Sequence, residues 1–138
     1  MKPIGYWLNR ADQAITHHMN AALQEYGLTR IAWQVLNVIQ DTPGATDADV
    51  LSVLSANADT ATLTAAIDTL LTDGWATRPA SHHLSLTADG RTRLATVSRR
   101  IDAFRALSTD GISDDDYRTA VNVLERMTHN LQPADPTE

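Results

Sequence analysis

The sequence has no cysteine, which excludes a disulfide framework, a thiolate nucleophile and every Cys-ligated metal site. Aromatic residues are scarce, at three Trp, three Tyr and one Phe. No apolar run approaches the ~18 residues that a membrane span needs. The opening Met1-Lys2-Pro3-Ile4-Gly5 lacks the hydrophobic region of a signal peptide. A soluble, cytoplasmic protein is therefore expected, with no membrane partner. There is no Gly-rich phosphate loop, Gly-x-Ser-x-Gly elbow or His-Glu-x-x-His pair, so an enzyme is not expected. His17 and His18 are ~100° apart on a helix, and His82 and His83 point to opposite faces of a strand. His17 and His18 cannot chelate one ion from one helix, a shared ion at His82 and His83 is not expected, and no metal or cofactor is expected.

What is present is a chain of 138 residues, 43% of them hydrophobic, enough for one domain with a core. The net charge of −6 argues against indiscriminate polyanion binding and leaves room for a local basic patch. Its distribution says more. Residues 1–40 carry a net +1 and residues 91–138 a net −1. Residues 41–90 set seven Asp against Arg78 alone, so the whole excess sits in the middle third.

Apolar residues recur at helical spacing from Ile4 to Tyr26, predicting a helix of about six turns begun at Pro3 and stopped at Gly27. Thr29 predicts the cap of a second helix to about Ile39, and Asp41-Thr42-Pro43-Gly44 breaks the chain. Thr46 or Asp47 caps a short third helix. After the turn Ser55-Ala56-Asn57-Ala58, Asp59 or Thr60 caps a fourth to about Thr72, with Leu63, Ile67, Leu70 and Leu71 as its inner stripe. Trp75–Arg78 and His83–Leu86 read as strands joined across Pro79-Ala80-Ser81-His82. Thr87 caps a fifth helix through Leu94, Val97, Ile101 and Phe104. Ser113 caps a sixth, whose first turn holds Asp114, Asp115 and Asp116, where negative charge favours the helix dipole. Residues 132–138 read as a disordered tail.

Helix, turn, helix and hairpin in this order are a winged helix-turn-helix, so the fold class is mainly α with a small β-hairpin. Gly27-Leu28-Thr29 with Trp33-Gln34-Val35-Leu36, Leu70-Leu71-Thr72-Asp73-Gly74-Trp75 and Leu86-Thr87-Ala88-Asp89-Gly90-Arg91 resemble the MarR family of bacterial regulators. Pro3-Ile4-Gly5-Tyr6-Trp7-Leu8 and Val123-Leu124-Glu125-Arg126-Met127 are similar to an actinobacterial subgroup of it. The resemblance covers residues 4–131 and implies a single domain over 1–131. A winged lobe over about 29–87 would sit on dimerisation helices over about 4–26, 88–107 and 114–131. It further implies a homodimer that binds double-stranded DNA as a transcriptional regulator, with a small lipophilic or aromatic effector. The residues agree on the dimer: the stripes of the first, fifth and sixth helices are too long for a lobe of about 60 residues to bury.

In that family the fourth helix reads DNA. Here its outer face is Thr60, Ala61, Thr62, Thr64, Ala65, Asp68, Thr69 and Thr72, with none of the Lys, Arg, Asn or Gln that make bidentate base contacts. Thr hydroxyls and methyl groups can still touch phosphates and thymine, and an ordinary solvated face is an equal reading. The hairpin also departs from the family, lacking the length and the Asp-x-Arg of the usual wing. Arg78, with His82 and His83 when protonated, are its cations. DNA binding is therefore expected to be weak or conditional, and the alternative is a relative that has lost it and binds a small molecule or protein. Trp7, Arg10 and His18 on the first helix and Trp33 on the second read either as walls of an effector pocket or as plain core.

Overall fold

Four left-handed glycines punctuate a chain that is otherwise mostly helix. The structure, a computed structural model, describes residues 1–80 and 82–133. Ser81 and residues 134–138, most of the expected disordered tail, lie outside the described residues. The elements are α1 (Ile4–Gln24), α2 (Arg30–Asp41), α3 (Asp47–Val53), α4 (Thr60–Thr72), β1 (Ala76–Thr77), β2 (Ser85–Leu86), α5 (Ala88–Ser108) and α6 (Asp114–Leu131). This is the mainly α architecture with one small hairpin that the sequence predicts.

Side-chain caps set most of the helix starts. Thr29 accepts from the Ala32 amide at 3.2 Å to open α2. For α3 the cap is Thr46, and Thr46 and Asp49 form a reciprocal capping box. For α4 it is Asp59, which accepts from the Thr62 amide at 2.8 Å. Ser113 accepts from the Asp116 amide at 3.1 Å to open α6. Gly27, Gly44, Gly74 and Gly111 follow helices in left-handed conformation, the backbone that helix C-termini favour.

The hairpin is shorter than its sequence suggests. β1 and β2 pair antiparallel with Ala76 opposite Leu86 and Thr77 opposite Ser85. Pro79 has no amide to donate to a longer ladder, and His82 turns the chain with a φ of 69°. Just before β2, the Leu84 amide donates instead to the Ala45 carbonyl at 2.7 Å, tying the hairpin to the loop between α2 and α3.

Two compact units divide the chain, Met1–Phe104 and Arg105–Glu138. The core of the first gathers Leu23 of α1, Leu36 of α2, Val50 of α3, Ile67 of α4, Trp75, Leu84 and the α5 residues Leu94, Val97 and Ile101. α1 is covered only toward its C-terminal end, at Met19, Ala22 and Leu23, while Ile4, Trp7, Leu8 and Ile15 stay exposed. In the second unit α6 has no buried residue, and Tyr117, Val121, Val123 and Leu131 are exposed.

Candidate nucleic-acid interface

The apolar stripe Leu63, Ile67 and Leu70 pulls α4 against the lobe core, which turns the opposite face outward. Thr60, Thr62, Thr64, Ala65 and Asp68 are all exposed there. The outward set is as expected, a run of hydroxyls and methyl groups interrupted by one carboxylate.

Among the cations expected to serve this helix, Arg78 is already paired. Arg78 follows β1 and donates from Nη1 to Asp47 Oδ1 at 2.7 Å and from Nη2 to Asp47 Oδ2 at 2.9 Å. This hydrogen-bonded guanidinium holds the Asp47 carboxyl below the usual carboxylate range. The carboxylate in turn raises Arg78, to which Asp68 adds a smaller electrostatic pull. His82 and His83 are exposed, and the charge of His82 also favours ionised Asp47. Thr46, Asp47, Ala48, Arg78 and His82 line a hollow of about 560 Å³.

Arg30, at the start of α2, also lies near the first turn of α4. It shares a hollow of about 440 Å³ with Asn20 and Gln24 of α1, Leu28, Ile31 and Thr62 of α4. This hollow joins the long first helix to the first turn of α4. Arg91 lines a third hollow, about 220 Å³, with Gln40 and Ser85.

Four of the seven Asp of the middle third have identifiable work, Asp47 among them. Asp49 completes the α3 capping box and Asp59 caps α4, where hydrogen bonding from Thr62, by side chain and by amide, lowers its carboxyl. Asp89 approaches Arg93 at 3.6 Å. Arg93 also stacks over the Trp75 ring, 3.8 Å from its centre, and donates to the Asp73 carbonyl. The missed partner is Asp47. It lies 31 residues from Arg78, and nothing local in either segment signals the pair.

The four residues considered for an effector stand in three surroundings. Trp7 is 55% exposed and meets Tyr6 edge-on, and Arg10 lies over the Tyr6 ring. His18 is exposed and stacks on Phe104 with ring centres 6.0 Å apart. Trp33 is half-buried against the lobe core, and its indole N–H is enclosed without an acceptor among the described residues. None of the four lines the hollow of Arg30 and Thr62. Among the described residues no group of three or more His, Asp or Glu could hold a metal ion. Nor is any helix among them long and apolar enough to cross a membrane.

A winged helix-turn-helix lobe carried with long flanking helices is the class that this fold and face define. No protein-family model matches the chain, and no curated protein matches it. Solved structures do. A MarR-family protein of Mycobacterium tuberculosis, crystallised in complex with DNA, is 24% identical with a TM-score of 0.73, covering 92% of this chain and 98% of that one. The transcriptional repressor CouR, bound to p-coumaroyl-CoA, is 23% identical with a TM-score of 0.74, covering 91% of each chain. The reduced form of MarR from E. coli is 22% identical with a TM-score of 0.71, covering 92% and 94%. The chain shares the fold of these MarR-family structures over nearly its whole length.

Proposed function

We propose that the chain is a homodimeric, MarR-like transcriptional regulator that reads double-stranded DNA with α4 and works in the cytoplasm as a binding protein, not an enzyme. The observation that carries this reading is α4 itself, a 13-residue helix whose outer face is exposed, on a fold shared with a protein crystallised on DNA. Thr60, Thr62, Thr64 and Ala65 offer hydroxyl and methyl contacts, and Arg78, His82 and His83 flank them. Asp68 opposes the phosphates. The exposed apolar residues of α1 and α6 support a second copy as the partner, since an amphipathic helix needs a covered face to be stable. In a two-fold dimer the two α4 helices would meet successive major grooves about 34 Å apart and read a palindrome.

An effector belongs to this reading as well. CouR was solved with p-coumaroyl-CoA, and the indole N–H of Trp33, half-buried against the lobe core, has no acceptor among the described residues. Trp7, Arg10, His18 and Trp33 are the residues proposed to meet a lipophilic or aromatic molecule. A second reading, loss of DNA binding with retention of a ligand- or protein-binding dimer, is favoured by the engagement of Arg78 with Asp47.

A gel shift with duplex flanking the chain's own gene, at low and moderate salt, separates the two. Retarded, saturable complexes that prefer this duplex to random sequence support the regulator. A protein that binds neither duplex at low salt is the second kind.

A further inference from the structure

The fork-to-fork geometry of Arg78 and Asp47, at 2.7 and 2.9 Å, is the one a guanidinium presents to a phosphate. Both side chains remain partly open to solvent, 38% and 41% exposed, at the edge of a hollow wide enough to admit an oxyanion. The charged groups that face the pair are Asp68 of α4, toward Arg78, and His82, toward Asp47. Asp47 is not needed to cap α3, because Thr46 and Asp49 do that between them. Its carboxylate occupies the place on Arg78 that a DNA phosphate would take.

We propose that Asp47 is an internal stand-in for DNA phosphate, a specificity-determining residue that withholds Arg78 from the backbone of random duplex. This rests on the reading of α4 as the DNA-binding helix. Non-specific affinity is almost wholly cation-to-phosphate exchange. With Arg78 already neutralised, a passing phosphate gains little and leaves Asp47 facing the polyanion. A duplex seated by the Thr and methyl contacts of α4 instead holds one phosphate fixed beside the pair. There the exchange of partners becomes intramolecular, with the high effective concentration that tethering confers. Asp47 thus lowers random binding more than cognate binding.

The test is a double-mutant cycle on the full chain: native protein, D47N, R78A and D47N/R78A, each shown by circular dichroism to be folded at the assay temperature. Fluorescence anisotropy is read on random duplex and on duplex flanking the gene, from about 50 to 200 mM salt. Freeing Arg78 in D47N is expected to tighten random binding and steepen the salt slope by about 0.9 per phosphate gained. R78A is expected to cost D47N at least about fivefold more random affinity than it costs the native protein. The preference for the flanking duplex should fall in D47N. If the gain of D47N survives in D47N/R78A, it is removal of charge alone and the proposal fails. If R78A weakens the native protein and D47N equally, Arg78 was never withheld and the proposal also fails. If no variant binds either duplex at the lowest salt, the DNA reading of α4 is overturned, and the proposal with it.

Discussion

The backbone of Gly90, in the first turn of α5, lies directly against the main-chain carbonyl of Trp75. A β-carbon on Gly90 would collide with that carbonyl oxygen and stand 2.9 Å from its carbon. Both partners are main chain, so no side chain can swing aside. Gly90→Ala is therefore expected to cost about 1–3 kcal/mol, the range of core overpacking. Gly5, with open space around it, is expected to tolerate the same change. Urea denaturation of the two variants checks both, and a Gly90→Ala midpoint equal to the native one would refute the close approach.

Thr87 holds the same junction from the other side. Its hydroxyl donates to the Gly74 carbonyl at 2.7 Å and accepts from the Gly90 amide at 2.8 Å. It caps α5 and at once ties it to the end of α4. Thr87→Ala should destabilise by about 0.5–2 kcal/mol, the range for loss of a cap, while Thr87→Ser retains most of it. Equal melting temperatures for the Ala and Ser variants would count against the double role.

Assembly separates into two expected outcomes. Ile101 is 1% exposed within the Met1–Phe104 unit, so Ile101→Asp places an uncompensated charge in that core and should unfold it. Val121 is exposed on α6. Val121→Asp should dissociate a homodimer while the helical signal of the first unit persists. Light scattering with circular dichroism distinguishes the two. A native protein that is monomeric and well folded at micromolar concentration would end the dimer reading.

Acid sensitivity follows from Asp47 and Asp59. Both carboxyls lie below their ordinary values, Asp47 through the Arg78 hydrogen bonds and Asp59 through those of Thr62. A depressed folded-state value means the stabilisation is complete above the unfolded value of about 3.9 and is lost as pH falls through the folded one. Melting temperature should thus be insensitive to these groups at neutral pH and drop below about pH 4. The acid limb should be shallower in Asp47→Asn, because that variant has no proton to take up at this site. An acid limb identical to the native one would show that the pair adds nothing to folding.

Local chemistry was legible in the chain before any contact was known. Thr29 and Ser113 cap helices as their positions suggest, and Gly74 ends α4. The competing caps at Thr46 or Asp47, and at Asp59 or Thr60, were beyond propensity alone. All four side chains can cap, and the choice falls to the residue whose oxygen meets the amide three positions on. The outward face of α4 was readable too, since its inner stripe leaves one direction for everything else.

Charge was the property least readable from the chain. Seven Asp against one Arg in residues 41–90 describes a sum, whereas the structure gives four of them separate roles, Asp49 and Asp59 in helix caps, Asp89 beside Arg93 and Asp47 in the clamp on Arg78. Periodicity and capping act over three or four residues, so the sequence alone determines the helices and their faces, and their starts to within a residue. The partnership of Arg78 with Asp47 and the seat of Gly90 on Trp75 join residues 31 and 15 positions apart. Only tertiary packing decided them, because the core that fixes how α3, the hairpin and α5 meet also fixes which polar groups come within the ~3 Å reach of a hydrogen bond.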